Sequence, residues 1–192
     1  AFQHFEDVWA DRLFLLRQGS LKLADPRISI IALDDDTGKK YGFPLPRAVQ
    51  ARIIEKLKSY GVKTIVFDVM FFENREGDRE LIRATRSFGK VIHLFALEVR
   101  QTSYGAIVDQ TLPIAGLKEA AQYVGYPNIQ NVIDGDGHIR RASLFDSSTH
   151  DPKTGYDLAP SVDIVAVASF LDKPLSEYLE AYGKPQPRLM LI

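Results

Sequence analysis

A strand, a helix and a second strand follow one another within about 45 residues near the start of the chain, and this unit constrains the fold most. The first apolar run is RISIIALD, residues 27–34, which is β-branched and continuous like a buried strand. A helix is predicted from Pro46, which suits a first helical turn, to Gly61, which ends it. The second apolar run is VKTIVFDVMFF, residues 62–72. The unit predicts two parallel strands joined by a right-handed helical crossover.

Apolar and polar segments continue to alternate toward the C-terminus. A third strand, KVIHLFALEV, is predicted at residues 90–99, and RQTSYGAIVDQTLP after it is predicted to be an irregular connection. Two shorter strands are expected around the turn DGDG. Further helices are predicted around Leu81 to Phe88, at residues 113–121, from Pro160 onward and in PLSEYLEAY. The pattern predicts an α/β fold with a mainly parallel central sheet flanked by helices.

Residues 1–20 are predicted to form an amphipathic helix that Gly19 ends. Its apolar positions follow helical spacing: Phe5, Trp9, Leu13 and Leu16. This face either packs against the domain's own sheet or forms the seam of a homodimer, and the sequence leaves both alternatives open.

The composition excludes several classes of protein. Lys and Arg number 24 against 25 Asp and Glu, so the formal net charge is −1 and no nucleic-acid partner is expected. The chain has no cysteine, which excludes disulfides, thiolate zinc sites and cysteine nucleophiles. It also lacks an apolar run of about 18 residues, the usual length of a transmembrane helix.

Carboxylates follow both strands of the first unit. Asp34, Asp35 and Asp36 end the first strand, and Asp68 is predicted to end the next parallel strand. Open α/β sheets bind ligands at the carboxyl ends of their strands. Paired carboxylates there also suit Mg²⁺. The simpler interpretation is that Asp34 and Asp35 make turn and cap hydrogen bonds, and that Asp68 accepts backbone N–H groups or pairs with Arg47.

Two enzyme classes share part of this acidic pattern, and both would use Asp34, Asp36 and Asp68 with Mg²⁺. A receiver domain resembles it in having an acidic pair and a later aspartate, but only 33 positions separate Asp35 from Asp68. The opening LDDDTG is similar to that of haloacid-dehalogenase phosphatases, but no later lysine and double-aspartate motif follows. The enzyme class is therefore kept only as an alternative.

Neither the DGDG turn nor the histidines indicate a metal. DGDGHI, residues 134–139, resembles the core of a calcium loop, but Val132 and Ser143 stand where two acidic ligands belong. A tight hairpin turn is favoured. The four histidines, His4, His93, His138 and His150, lack metal-ligand spacing, so no metal, cofactor or catalytic residue is assigned.

Taken in order, the segments resemble the CHASE type 2 domain over nearly the whole chain, from about Phe5 to Ile192. The pieces that carry the resemblance are the aspartate pair after the first strand, Pro46-Arg47 before the helix, FDVMF with Glu73 behind it, and the D-x-D-G-x-x-R-R turn at residues 134–141. The resemblance implies a sensor domain at residues 21–192, truncated before the membrane spans that follow it.

The resemblance also implies the setting of the domain. Such domains are the extracellular or periplasmic input of membrane-bound adenylate or guanylate cyclases, histidine kinases of two-component systems and serine/threonine kinases. The domain itself would not be an enzyme, and residues 1–20 would lead from a membrane span. A homodimer and an unidentified small-molecule or physical stimulus are expected. If a ligand pocket exists, we expect it to be lined by Asp34, Asp35, Arg47, Asp68 and Glu73.

Overall fold

The computed structural model describes residues 2–18, 25–103, 105–127, 137–138, 143–148 and 157–182. The helices are α1 (Phe2–Gln18), α2 (Asp35–Tyr41), α3 (Arg47–Ser59), α4 (Asp78–Phe88), α5 (Ala115–Ala120), α6 (Val162–Leu171) and α7 (Leu175–Tyr182). The strands are β1 (Ile65–Val66), β2 (Val91–Leu94), β3 (Ala96–Thr102), β4 (Gly105–Thr111), β5 (Tyr123–Gly125), β6 (Phe145–Ser148) and β7 (Asp157–Pro160). Among these described residues, no helix has both the length and the apolar character needed to cross a membrane.

A parallel three-stranded sheet lies at the centre, in the order β1, β2, β5. The N–H of Ile65 donates to the carbonyl of Lys90 at 3.0 Å, and that of Phe67 donates to the carbonyl of Ile92 at 3.0 Å. β1 is therefore paired on one side only and forms an edge of this sheet in the described part of the chain. Together with the flanking helices, the sheet confirms the predicted α/β class.

Helices cover both faces of β2. Val91 packs in one apolar cluster with Ile54 of α3 and Leu81 of α4. The next residue, Ile92, packs in another cluster with Val165 of α6. Because successive side chains of a strand point to opposite faces, a strand covered on both faces is expected to be almost wholly apolar. All four residues of β2 are buried, His93 among them.

The prediction of a first strand at residues 27–34 is wrong for this structure. No residue of that segment belongs to a strand, and its apolar side chains are exposed, Ile30 by 92%. The segment runs beside β1 and leaves a cavity of about 390 Å³ that Ile30, Ile31 and Val66 help to line. β-branched composition favours a pleated surface, but it does not supply a hydrogen-bonding partner.

The chain after β2 also differs from its prediction. The run predicted as one strand divides at Phe95, and the predicted irregular connection is the second half of an antiparallel hairpin, β3 with β4. Cross-strand pairing explains why polar residues form strands here, since Arg100 donates to the Asp109 carboxylate at 2.7 Å. The spacing of apolar residues alone does not reveal such pairs.

The predicted helices agree better with the structure. α3 begins after Pro46, and α4, α5, α6 and α7 lie where apolar spacing placed helices. α2 was not predicted, and α1 ends at Gln18, one residue before the predicted stop. The predicted turn at 134–137 lies almost wholly outside the described residues, as do the C-terminal residues 183–192.

One glycine controls how closely α3 and α4 approach. Gly77 precedes α4 with φ of +84°, a left-handed conformation that favours glycine. A Cβ atom there would lie 2.9 Å from the backbone nitrogen of Ala48 and 2.9 Å from the Cβ atom of Arg47. The absence of a side chain at Gly77 therefore lets the start of α4 lie against the start of α3, which brings Asp78 to Arg47.

Candidate ligand-binding site

A cavity of about 420 Å³ lies between α2, the start of α3 and the chain that leaves β1. Three of the five predicted site residues line it, namely Asp34, Arg47 and Asp68. They come from three separate segments of the chain, and the fold brings them together. The two remaining predicted residues, Asp35 and Glu73, are not part of its lining.

Asp34 is the N-cap residue that directly precedes α2. Its Oδ1 atom accepts hydrogen bonds from the backbone N–H of Thr37 at 2.9 Å and from the Thr37 hydroxyl at 2.7 Å. These bonds satisfy a free N–H at the helix start, as an N-cap aspartate does. The hydrogen bonds from Thr37 lower the pKa of the Asp34 carboxyl, so this group stays ionised at neutral pH.

Asp35 and Asp36 occupy the first turn of α2 and are exposed. Asp36 pairs with Lys39 at 3.1 Å on the outer surface. Asp35 and Asp36 are successive helical residues that point about 100° apart, and neither lines the cavity that Asp34 lines. The arrangement thus separates Asp36 from Asp34 and Asp68, the trio that the enzyme alternative requires.

Arg47 is buried at 7% exposure, with its guanidinium held on several sides. Its Nε donates to Asp78 Oδ1 at 3.0 Å, its Nη2 donates to the backbone carbonyl of Glu73 at 3.4 Å, and its guanidinium lies 4.3 Å from the centre of the Phe71 ring. Both expected roles of Asp68 are wrong, because Arg47 pairs with Asp78 and no backbone N–H among the described residues donates to Asp68. Burial lowers the pKa of Arg47, and the Asp78 carboxylate opposes that shift. A pair buried in this way holds the start of α3 in one geometry.

Glu73 supports Arg47 mainly through its backbone carbonyl, which accepts a hydrogen bond from the Arg47 guanidinium. Its exposed carboxylate accepts from Arg75 Nη2 at 3.3 Å. Arg75 lines the cavity, and its backbone N–H donates to Asp78 Oδ2 at 2.7 Å. Both arginines of the cavity wall therefore already have carboxylate partners.

Asp68 differs from these paired groups. It is exposed at the cavity and has no hydrogen-bond or ion-pair partner among the described residues. Asp34 likewise has no cationic partner in the described part of the chain, since Thr37 supplies its hydrogen bonds. The cavity thus presents two carboxylates that no cationic side chain of the described residues neutralises.

Gln50 is the feature that sequence reasoning missed. It is exposed by only 2%, lines the cavity, and donates from Nε2 to the carbonyl of Leu45 at 2.9 Å. Its Oε1 atom is buried without a hydrogen-bond partner among the described residues. An unpaired buried acceptor costs about 1–3 kcal/mol, so it needs an explanation. The sequence carried one signal for its burial. Gln50 lies three residues after Arg47 and four before Ile54, a spacing that places it on the buried face of α3.

The rest of the cavity wall is largely apolar. Leu33, Phe43, Leu45, Val69 and Met70 contribute to it. A few polar groups set in an apolar wall are typical of small-molecule sites, and the volume falls within their usual range of about 300–1,000 Å³. No three His, Asp or Glu side chains form a potential metal-binding group within the described residues.

His93 lies beneath this region without lining the cavity. It is fully buried between the rings of Phe67 and Phe71, at centroid distances of 5.6 and 5.1 Å. Burial, aided by the positive charge of Arg47, lowers the pKa of His93 to about 4. The imidazole is therefore neutral at physiological pH, and its Thr85 contact at 3.3 Å joins β2 to α4.

Comparison with known proteins supports one assignment. No curated protein and no solved structure matches the chain. A family model described as the CHASE2 domain matches residues 1–190, nearly the whole sequence. This confirms the resemblance carried by the aspartates after the first apolar run, Pro46-Arg47 and FDVMF. The chain belongs to the CHASE2 domain family, a family of sensor domains rather than catalytic ones.

Proposed function

We propose that this domain is the extracytoplasmic, signal-sensing input of a transmembrane receptor, and that it receives a small molecule in the cavity between α2, α3 and β1. The receptor's cytoplasmic output is an adenylate or guanylate cyclase, or a histidine or serine/threonine kinase. Membership of a sensor family supports the sensing role. Of the five predicted ligand-site residues, Asp34, Arg47 and Asp68 form the proposed site, whereas Asp35 lies outside the cavity wall and the Glu73 carbonyl accepts a hydrogen bond from Arg47.

The observation that carries the proposal is the composition of the cavity. It combines unneutralised carboxylates, a buried glutamine with an unpaired acceptor and apolar walls. The cavity is also lined by Leu33 and Asp34, which belong to the segment of the chain between α1 and α2. A ligand that contacts Leu33 or Asp34 thereby acts on the segment that leads back toward α1.

α1 is the element through which the signal leaves the domain in this proposal. Its exposed side chains include Phe5, Trp9, Leu13 and Leu16. Exposed apolar residues at helical spacing suit the seam between two identical helices. We propose that α1 pairs with α1 of a second copy and that a shift between the two helices passes to the membrane span that precedes them.

Labelling of a single introduced cysteine tests the location. The chain has no natural cysteine, so Ser59→Cys on the exposed end of α3 provides one reactive thiol. We expect a membrane-impermeant maleimide to label the Ser59→Cys receptor in intact cells more strongly than the same full-length receptor without the substitution. Ser169→Cys, at a fully buried position, is the matched control and should react only after denaturation. Labelling of Ser59→Cys only after cell lysis would contradict the extracytoplasmic location.

A further inference from the structure

Residues 28–33, the strap, lie beside β1 without pairing with it. The N–H groups of Ile65 and Phe67 both donate to carbonyls on the β2 side, and alternate residues of a strand direct these groups to opposite sides. The N–H groups of Val66 and Asp68 therefore face the open edge, and no hydrogen bond satisfies them among the described residues. The edge of β1 can thus receive one more strand.

The strap and β1 begin at the same place. Arg27 directly precedes the strap, and its guanidinium lies 5.7 Å from the centre of the Phe170 ring in α6. Lys63 precedes β1, and its ammonium lies 4.9 Å from the centre of the same ring. Two segments that start against one ring are aligned at their N-terminal ends, as neighbouring parallel strands are.

The two segments also end at the same place. Leu33, the last residue of the strap, lines the candidate ligand cavity together with Val69, which follows β1. Leu33 and Val69 are separated by as many positions as the two cationic residues that contact Phe170. The strap and the edge of β1 therefore run in the same direction over equal lengths, and the register that matches both ends puts Ile30 opposite Val66.

A cavity of about 390 Å³ separates the strap from β1. Its wall is mainly apolar and includes Ile53 and Leu57 of α3. In the matching register, Ile31 would lie beside Phe67, on the face of the sheet that α3 covers. Closing the cavity would therefore bury apolar side chains that are now exposed, and it would satisfy the free N–H groups of the edge.

We infer that the strap closes onto β1 as a fourth parallel strand of the central sheet, with Ile30 opposite Val66. The connection between the two segments, through α2 and α3, is long enough to join parallel strands. The inference rests on the proposed function, because closure moves Leu33 and thereby reshapes the cavity that receives the ligand. A ligand that fits only one of the two arrangements shifts the balance between them, and the strap carries this change toward α1.

Disulfide trapping in the purified domain tests the closure, because the chain has no natural cysteine. Ile30→Cys combined with Val66→Cys puts one thiol on the strap and one on β1, both at exposed positions. Neighbouring strands lie about 4.8 Å apart, within the range of about 4.4–6.8 Å between Cα atoms that a disulfide requires. We expect mild oxidation to form an intramolecular disulfide in this variant.

Two further pairs are the controls. Ser29→Cys with Val66→Cys should form a disulfide at least about tenfold more slowly, because adjacent strap residues point to opposite faces of a strand. Leu158→Cys with Val66→Cys should form none, because Leu158 belongs to β7, which ends beside Tyr126 at the far side of the sheet from β1. Loss of free thiols and mobility in gels without reductant measure the three rates.

Amide hydrogen exchange then shows whether the trapped strap is hydrogen-bonded as a strand. In the oxidised Ile30→Cys, Val66→Cys variant, the N–H groups at positions 66 and 68 should exchange at least about tenfold more slowly than in the reduced variant. The N–H groups of Ile65 and Phe67 are the internal control, because they already donate to the β2 side and should exchange slowly in both forms.

The outcomes separate this inference from the proposed function. Absence of an intramolecular disulfide, or equal rates for the Ser29 and Ile30 pairs, would overturn closure of the strap as a strand. Disulfide-linked dimers in place of the monomer would overturn it as well and assign the edge of β1 to a second copy. A disulfide without slower exchange at positions 66 and 68 would show contact without pairing, which also contradicts the inference. Failure of the proposed location is read separately, from the labelling of Ser59→Cys.

Discussion

β2 and residues 28–33 are both short apolar runs, yet they end in opposite environments. β2 has β1 and β5 as neighbours and helices on both faces, and its four side chains are buried. Residues 28–33 lie beside the edge of β1 with their side chains exposed. The difference teaches that apolar character makes burial possible, whereas neighbouring strands and covering helices decide whether it occurs.

The largest expected effect contrasts one isoleucine from each region. Ile92→Ala should lower the free energy of unfolding by about 4 kcal/mol, because it leaves a void between β2 and α6. Ile30→Ala should change it by less than about 0.5 kcal/mol, because the side chain is already exposed. Urea denaturation of both variants measures the difference. Equal losses would mean that residues 28–33 are packed in solution.

A second contrast concerns two arginines on α3. Arg47→Met should lower the free energy of unfolding by about 3 kcal/mol, since it leaves Asp78 half-paired and 12% exposed beneath the helix start. Arg52→Met, at an exposed position of the same helix, should have an effect below about 0.5 kcal/mol. Thermal and urea unfolding of the two variants check this. An Arg47→Met variant as stable as the parent protein would show that the pair fixes geometry without stabilising the fold.

A third contrast compares the pH dependence of stability with and without His93, the titratable residue buried in β2. The folded-state pKa of about 4 lies below the ordinary value of 6.5, so folding favours the neutral imidazole. The stability that the neutral His93 imidazole contributes to the folded state is therefore fully present above pH 6.5, and it is lost as the pH falls toward 4. The loss should be about 3 kcal/mol relative to His93→Leu, measured from urea midpoints between pH 7 and 4. Parallel pH profiles for the two proteins would contradict the assignment.

The smallest expected effect on stability lies in α1. Leu13→Glu should change the free energy of unfolding of the domain by less than about 0.5 kcal/mol, because Leu13 is exposed. It should nevertheless weaken self-association, since a charge would enter the proposed helix seam. Sedimentation velocity over a range of concentrations measures this. Glu6→Lys, at an exposed polar position on the same helix, is the control for charge alone. Unaltered association of Leu13→Glu would exclude α1 as the seam.

Helices were more predictable from the sequence than strands were. Pro46, the apolar spacing after it and Gly61 mark α3 through local chemistry that the sequence displays. Strands depend on pairing partners that apolar spacing does not identify, so the run at 27–34 was predicted as a strand and the hairpin of β3 and β4 was missed. α2 was missed because its start relies on a side-chain cap at Asp34 rather than on apolar spacing.

Three of the predicted site residues line the cavity, although Asp34 caps a helix and does not end a sheet strand as was expected. Asp34 and Asp68 line the cavity, and Arg47 joins them from the first turn of α3. Gln50 and Arg75 were missed, because their contribution arises from burial and from pairing that only the folded chain defines. The pairing of Arg47 with Asp78 depends on the close approach at Gly77, which no charge pattern encodes.

The open edge of β1 has a consequence for handling the isolated domain. Backbone groups on that edge lack a partner strand within the described residues, and apolar side chains such as Ile28 and Ile30 stand exposed next to it. An unprotected edge beside apolar surface is a template on which another chain can add a strand. Concentrated preparations are therefore expected to aggregate through this side, and a lysine in place of Ile30 would act as a gatekeeper that keeps the domain dispersed.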